Sequence, residues 1–497
     1  MDQSIEAVLA GERRWVVVHG DCFDVLPTLP ENSIPACVTD APYSLGAPPD
    51  PEKLLRAWLN GEDYSTGRGF MSAKWDQLPG PRIWKAVFRV LRPGAHCLVF
   101  AGTRTVGLMD MALRLAGFEI RDQLAWIQAQ GMPKSVNLAR VLDEAAGAKP
   151  KVIGPKVYAD GTPGHWSASD KYAQDAHTKG LDGAVKLATV PTTDLAKRWD
   201  GWGTGLRPSI EPVILCRKPL DGTLVENVTA HGTGGIHVDA CRIATDWSDR
   251  PDSWKRSGHS AKPEADKIAA PPGIGINCHE AGRWPPNVLF SHSECTAGQC
   301  AEDCPVAELD RQSGESWSLG GHTIRKPGAI TMNGENPMGM YGDLETASRF
   351  FPCFRYEAKA ARQDRDRGLE DWDETTALEA VGRDPESAGA QSGRAGAGRT
   401  GGARNTHPTV KSTELMRWLV KLVTPADGIC LDPFCGSGST GIAALLEGFR
   451  FIGIELNDTE KEPFVRIARA RMEHVLDDRP VEEKRPTFGK AAQGRLF

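Results

Sequence analysis

The sequence predicts an α/β protein built on one mostly parallel sheet to which two widely separated stretches of chain contribute. Three observations carry this. Short apolar strands ending in Gly-, Asp- and Pro-rich loops alternate with helical segments in the first 130 residues. The same alternation returns after residue 405, and neither stretch alone supplies enough strands for a good sheet. No internal repeat of fixed period competes with this reading.

Taken in order, Trp15-Val16-Val17-Val18-His19 and Ala36-Cys37-Val38-Thr39 read as strands. A helix from about Arg82 to Leu91 leads through the turn Arg92-Pro93-Gly94 into a strand, His96 to Phe100. A second helix, about Thr105 to Ala116, passes Gly117 into the strand Phe118 to Ile127. From 131 to 400 the chain is dense in Trp, Pro, Gly and His, with one clear strand candidate, Pro212-Val213-Ile214-Leu215-Cys216. Between Ala380 and Arg404 the composition collapses to Gly, Ala, Ser and Arg, the mark of a flexible linker. Beyond it, Ser412 to Val423 reads as helix, Gly428 to Asp432 as strand, Gly441 to Glu447 as helix, Phe451 to Glu455 as strand and Phe464 to Leu476 as helix. The expected division is therefore 1–130 and 405–480 as two parts of one domain, 131–400 as an insert from which 205–220 returns to the sheet, and 481–497 as a tail.

With 497 residues, 40% hydrophobic and 25% charged, the composition is that of an ordinary globular protein of about three domains. The net charge of −6 is not that of a typical nucleic-acid binder, but a local basic groove is compatible with it. No window approaches the ~20 apolar residues of a membrane span. Met1 to Gly11 lacks the layout of a secretory signal, so a cytoplasmic location is expected. There the 12 cysteines are expected to be buried, metal-bound or catalytic rather than disulfide-bonded.

Two motifs carry chemistry. In Leu431-Asp432-Pro433-Phe434-Cys435-Gly436-Ser437-Gly438-Ser439-Thr440-Gly441, a glycine-rich loop follows a strand and opens a helix, so that a ligand can lie against the backbone. Glu455 ends the next strand, where a carboxylate can accept hydrogen bonds from both ribose hydroxyls of a nucleoside cofactor. The bland alternative is a tight turn without a ligand, and the paired carboxylate argues against it. The loop lacks the Gly-Lys-Ser/Thr of a phosphate-binding loop, which excludes an ATP or GTP site of that kind.

The second motif, Val38-Thr39-Asp40-Ala41-Pro42-Tyr43, also stands at a strand end. An exocyclic amine conjugated to a base ring is a poor nucleophile. Asp40 and the backbone carbonyl of Ala41 can hold its two hydrogens and aim its lone pair, while the Tyr43 ring stacks on a flipped-out base. On that reading the ring rather than the hydroxyl of Tyr43 is the contact. Alone, these four residues would pass for an ordinary loop.

Together the motifs resemble the amino DNA methyltransferases. The glycine loop is similar to their Asp-Pro-Phe-x-Gly-Ser-Gly-Thr, and Asp40-Ala41-Pro42-Tyr43 to their Asp-Pro-Pro-Tyr, with Ala41 giving up proline's rigidity. The order, with the tetrapeptide first and the cofactor loop last, is that of the circularly permuted beta group. The resemblance covers about residues 15–130, 205–220 and 405–475. It implies a Rossmann-like methyltransferase fold, with the insert as target-recognition region. S-adenosyl-L-methionine would be held by Asp432, Pro433, Phe434, Gly436, Ser437, Gly438 and Glu455. His19-Gly20-Asp21-Cys22 implies Asp21 and Cys22 at the cofactor adenine, and Asn405-Thr406-His407-Pro408-Thr409-Val410-Lys411 implies Thr409 and Lys411 near the methionine end. Leu91-Arg92-Pro93-Gly94 and its strand match the next sheet unit.

The implied activity is sequence-specific methylation of adenine N6 in double-stranded DNA by a monomer or homodimer. Asp at position 40 is more usual of adenine enzymes and Ser of cytosine-N4 enzymes, so the N4 reaction is the alternative. From another class, a non-catalytic DNA-binding protein on a decayed fold is opposed by intact Asp40, Tyr43, Asp432 and Glu455. Cytosine C5 chemistry is disfavoured because Pro352-Cys353 and Cys304-Pro305 lie outside the α/β framework. No nuclease motif is evident, so no fused cutting activity is expected. Gly131-Met132-Pro133-Lys134-Ser135 and Gly201-Trp202-Gly203-Thr204 are candidate loops at a DNA cleft, and Arg121, Lys134, Arg207, Arg217 and Lys218 are candidate phosphate contacts. Finally, His292, Cys295, Cys300 and Cys304 fall within thirteen residues, a set that suits a structural tetrahedral zinc, with chance clustering as the alternative and Cys278, His279 and Cys353 as competing ligands.

Overall fold

A computed structural model describes residues 2–44, 46, 49–65, 67, 75–128, 135–149, 151–155, 187–243, 283–292, 300, 304–314, 316–317, 344–354, 362–375, 403–460 and 462–477. Among the described residues, nine strands form the main sheet: β1 (Trp15–His19), β2 (Ile34–Thr39), β3 (Leu91–Phe100), β4 (Glu119–Ile127), β5 (Ile210–Arg217), β6 (Val288–Ser291), β7 (Cys353–Phe354), β8 (Ile429–Asp432) and β9 (Arg450–Glu455). Their spatial order is β1-β9-β8-β2-β3-β5-β4-β6-β7. Every neighbouring pair is parallel except the two made by β5, which runs antiparallel to both β3 and β4. This is the mixed, mostly parallel, Rossmann-like sheet expected from the sequence.

The strands from the end of the chain lie between β1 and β2, so the two separated stretches do build one sheet. β2 is buried along its whole length, as a central parallel strand should be, and its sequence is accordingly a near-continuous apolar run. Alternation of side chains then makes two cores. Val16, Val18, Cys37, Cys97, Val99, Ile452 and Ile454 face one layer, and Trp15, Val17, Ala36, Val38, Leu98, Phe100 and Phe451 the other. Helices α1 (Gln3–Ala10), α2 (Pro51–Leu59), α3 (Pro81–Val90) and α4 (Val106–Leu115) contribute Ile5, Leu54, Ile83 and Met109 to the first core. Helices α5 (Thr413–Val423), α6 (Ser439–Leu446) and α7 (Phe464–Asp477) contribute Leu415, Ala443 and Ala468 to the second.

Some expectations shift. Leu91 to Phe100 is one strand, and Arg92-Pro93-Gly94 is an irregularity within it, where the register against β2 slips between Ile34 and Ala36. Gly94 has φ +75, and a Cβ there would collide with Asn227. α6 starts at Ser439, two residues before Gly441, because Gly438 in the left-handed conformation already serves as its N-cap. α1 and α2 were not expected; each is N-capped by an aspartate, Asp2 and Asp50. The insert also supplies more of the sheet than residues 205–220, since β6 and β7 extend its edge. Most of the candidate linker, 380–404, and the tail 481–497 lie outside the described residues.

Candidate active site at the switch point of the sheet

From β8 the chain moves to β9 on one side, and from β2 it moves towards β3 on the other, so the strand order reverses between β8 and β2. Just beyond the carboxyl ends of such neighbours, loops diverge and leave a crevice for ligands. The glycine loop follows β8 and Asp40-Tyr43 follows β2, which places both motifs there. Glu211 joins them because β5 runs the opposite way. Val213 is paired with Phe100 at the end of β3, whereas Arg217 pairs with His96 in its middle. The beginning of β5 therefore meets the carboxyl ends of its parallel neighbours.

Asp40 has two partners. Its Oδ2 accepts from Lys411 Nζ at 2.6 Å and its Oδ1 from the Tyr43 hydroxyl at 2.8 Å. Lys411 Nζ also lies 3.4 Å from Glu211, whose Oε2 stands 3.1 Å from the Tyr43 hydroxyl and competes with Asp40 for its one proton. The Tyr43 backbone is held in turn by Thr105, whose hydroxyl donates to its carbonyl at 2.8 Å. Burial pushes the Asp40 carboxyl up, against the lowering pull of Lys411, and burial with two nearby carboxylates pushes the Tyr43 phenol far up. Burial disfavours the charge on Lys411, but Asp40 and Glu211 outweigh it and raise its pKa. The ammonium also sits 5.3 Å from the Tyr43 ring centroid and 5.1 Å from that of Phe100.

The cofactor-loop residues are arranged differently. Asp432 is 1% exposed, and both of its oxygens accept from the protein: Oδ1 from Thr39 (2.6 Å) and the Phe434 N–H (3.0 Å), Oδ2 from Thr440 (2.6 Å). Burial raises its pKa to about 6. Asp432 therefore shapes the loop and locks β8 to β2, and its carboxylate is turned to the protein rather than to a ligand. Glu455 accepts the Gly436 N–H at 2.7 Å and the Asn457 N–H at 2.9 Å, and burial raises it to about 7. Gly436 and Gly438 have φ of +53 and +82, as a tight turn requires. A Cβ on Gly436 would meet the His407 ring, and one on Gly438 would meet Ala468 of α7. Bulk at Gly438 thus strains the loop and pushes on α7.

Beside the loop lies a mainly apolar cavity of about 300 Å³ whose walls include Asp21, Cys22, Pro42, Tyr64, Trp75 and Phe434. It unites three candidate elements that are far apart in sequence. Asp21 also caps the short helix Cys22–Val25 by accepting from the Phe23 N–H at 2.8 Å. Lys411, by contrast, is turned to Asp40 and Glu211, and Thr409 donates its N–H to His407 Nδ1 at 3.3 Å. That acceptor role puts the imidazole proton on Nε2, facing Gly436, and burial keeps the ring neutral by lowering its pKa to about 3.

Two features went unread in the sequence. Glu211 stands one residue ahead of the strand candidate Pro212–Cys216, and only the antiparallel direction of β5 in the main sheet brings it to the site. The segment Arg362–Asp366 braces the whole 405–413 stretch. Arg365 donates to the carbonyls of Asn405 and His407, Asp366 accepts the N–H groups of Arg404 and Asn405, and Asp364 caps α5 through Thr413. Buried Arg471 completes the brace by donating to the carbonyls of Ser437 and Asp364.

The candidate DNA contacts divide. Lys218 Nζ donates to the Phe88 and Leu91 carbonyls and to Asn32, and Arg217 pairs with Glu119 at 2.6 Å. Both stand at the far end of β5 from Asp40, where they hold the fold rather than face the site. Ser135 and Gly203-Thr204 come together, with Val136 N–H donating to Thr204 and Thr204 N–H to Ser135. Residues 131–134 lie outside the described residues, as do Cys295, Cys278 and His279.

Comparison with known proteins shows what part of this site is similar to. The pattern of the N6/N4 DNA methylases matches residues 310–466. This stretch, under a third of the chain, is similar to the amino DNA methyltransferases. The match includes the glycine loop, Glu455 and the 405–411 stretch but stops short of Asp40. A type II methyltransferase of Streptococcus pneumoniae, M2.DpnII, is 46% identical over 67 residues, 14% of this chain and 24% of the relative. The DNA adenine methyltransferase YhdJ of Escherichia coli K12 is 31% identical over 90 residues, 18% of this chain and 31% of the relative. The matched stretches thus span under a third of these curated relatives. Among solved structures, the PvuII cytosine-N4-specific DNA methyltransferase aligns over 94% of this chain and 91% of its own, at 11% identity and a TM-score of 0.36. A complex of M1.HpyAVI with S-adenosylmethionine aligns over 92% and 99%, at 11% identity and a TM-score of 0.31.

Proposed function

We propose that this protein is an amino DNA methyltransferase that transfers a methyl group from S-adenosyl-L-methionine to N6 of adenine within a specific sequence of double-stranded DNA, and that it belongs to the permuted beta group. The observation that carries the reading is the meeting of Asp40-Tyr43 and the glycine loop on adjacent strands at the switch point. The cavity fits a nucleoside: Phe434, Trp75 and Pro42 offer apolar walls to a purine, and Asp21 offers an acceptor at its rim. Glu455, whose oxygens each keep a lone pair beyond the Gly436 and Asn457 bonds, would accept ribose hydroxyls. When bound, the cofactor supplies an electrophilic methyl group.

The remaining chemistry belongs to the chain. Asp40 accepts one hydrogen of the target amine, because a carboxylate offers about four lone-pair sites and Tyr43 and Lys411 use two. The Ala41 carbonyl takes the other hydrogen. Lys411 keeps Asp40 ionised and in place, and Glu211 holds Lys411 and Tyr43 from the opposite side. The Tyr43 ring stacks on the extruded base. Asp at position 40 favours adenine over cytosine N4. The test is methylation of duplex DNA by the purified protein, followed by digestion and mass spectrometry of the nucleosides. N6-methyladenine is expected; N4-methylcytosine would overturn the base assignment, and an unmodified product the activity itself.

A further inference from the structure

A cluster remote from the methyl-transfer chemistry lies at the far edge of the sheet. His292 follows β6, and its N–H donates to the Phe354 carbonyl of β7 at 3.0 Å. Cys304 is fully buried at the N-cap of the helix Pro305–Ser313, where its side chain makes no capping hydrogen bond. Cys300 Sγ stands 3.6 Å and Cys304 Sγ 3.5 Å from the same atom, His292 Nδ1, and the three ligand atoms all lie within 4.8 Å of one another.

Those distances discriminate. A neutral imidazole nitrogen has one lone pair and accepts one S–H, so two sulfurs converging on it are one too many for hydrogen bonding. In tetrahedral zinc, Zn–N bonds of about 2.0–2.1 Å and Zn–S bonds of about 2.3 Å separate nitrogen from sulfur by about 3.6 Å. Both contacts match that edge length. We infer that His292, Cys300 and Cys304 ligate a structural zinc ion that fastens the helix Pro305–Ser313 to the edge of the sheet. The setting agrees. Among the described residues, the apolar cluster around the site buries Phe290, Cys304 and Val306, a small core for holding a strand pair as short as β6 and β7. The fourth coordination position is left for a further side chain or water.

The full chain, purified without a metal-affinity step and passed over a chelating resin, should retain about one zinc per molecule by elemental analysis. Cobalt substituted for the zinc should show near-ultraviolet thiolate-to-cobalt charge transfer. Because His292→Ala and Cys304→Ser, at buried positions, can fail to fold, the deciding variant is Cys300→Ser at the exposed ligand. It should fold, keep methyl transfer, and lose at least about tenfold in zinc affinity against a chromogenic chelator. A folded, chelator-washed chain without metal, or unchanged affinity in Cys300→Ser, would overturn the assignment.

Discussion

Asp40 and Asp432 occupy equivalent places, each at the carboxyl end of a central strand, on strands that touch. Their surroundings differ completely. Asp40 faces charges, Lys411 and Glu211, and its side chain keeps 18% of its exposure. Asp432 faces two hydroxyls and an amide, and is sealed. A carboxylate held by ionic partners beside open space can bind a substrate group as it reacts; one enclosed by neutral donors can only fix the shape of what surrounds it. On the proposed reading, the same residue type does chemistry on one strand and architecture on the next.

Substitutions should split along that line. Asp40→Ala is expected to cost about 3 kcal/mol or more of transition-state stabilisation, at least ~100-fold in tritiated methyl transfer, with calorimetric cofactor affinity nearly intact. Near-normal turnover would end the comparison. Asp432→Ala should act in the opposite order. Stranding the Thr39 and Thr440 hydroxyls and the Phe434 N–H should lower unfolding stability by about 3 kcal/mol, read by denaturant titration, with cofactor binding lost as the loop loosens. Unchanged stability would mean that the buried bonds are not what holds the loop.

Glu211→Gln sharpens the electrostatic side. Methyl transfer should fall about tenfold. Since the negative charge of Glu211 helps raise Asp40, the acid limb of the pH–rate profile should move to lower pH; a fall in rate with no movement would reduce Glu211 to a packing residue. A milder pH effect is expected at the cofactor. Glu455, raised to about 7, must be ionised to accept two hydroxyls best. Binding should therefore strengthen as pH rises towards 7 and level off above it, by less than about tenfold per unit, with proton release measurable in buffers of different ionisation heat. Tyr43→Phe closes the series. Losing the hydroxyl that spans Asp40 and Glu211 should slow transfer by roughly fivefold, about 1 kcal/mol, where stacking alone would leave the rate untouched.

The sheet and both chemical motifs were legible because each is local: an apolar run closed by a distinctive loop. Even the pairing of the two distant stretches followed from neither having strands enough. Illegible were the relations that only neighbouring strands create. Lys411 carries no mark in the sequence that aims it at Asp40, and Lys218, read as a phosphate contact, is spent on the carbonyls of Phe88 and Leu91. Arg365 and Asp366 brace the 405–411 stretch from across a long interval of irregular composition, where no periodicity points to them.

The pairing of Trp15 with Phe451 also sets a timetable for synthesis. A ribosome adding about 5–20 residues per second needs on the order of tens of seconds to make β8 and β9 after β1 and β2 have emerged. Throughout that delay the apolar run Ile34–Thr39 lacks β8, and Trp15–His19 has no partner in the sheet at all. The nascent chain therefore carries open strand edges that invite association with other chains or capture by a chaperone, and its yield in a cell should respond to temperature and chaperone supply more steeply than the stability of the finished protein does.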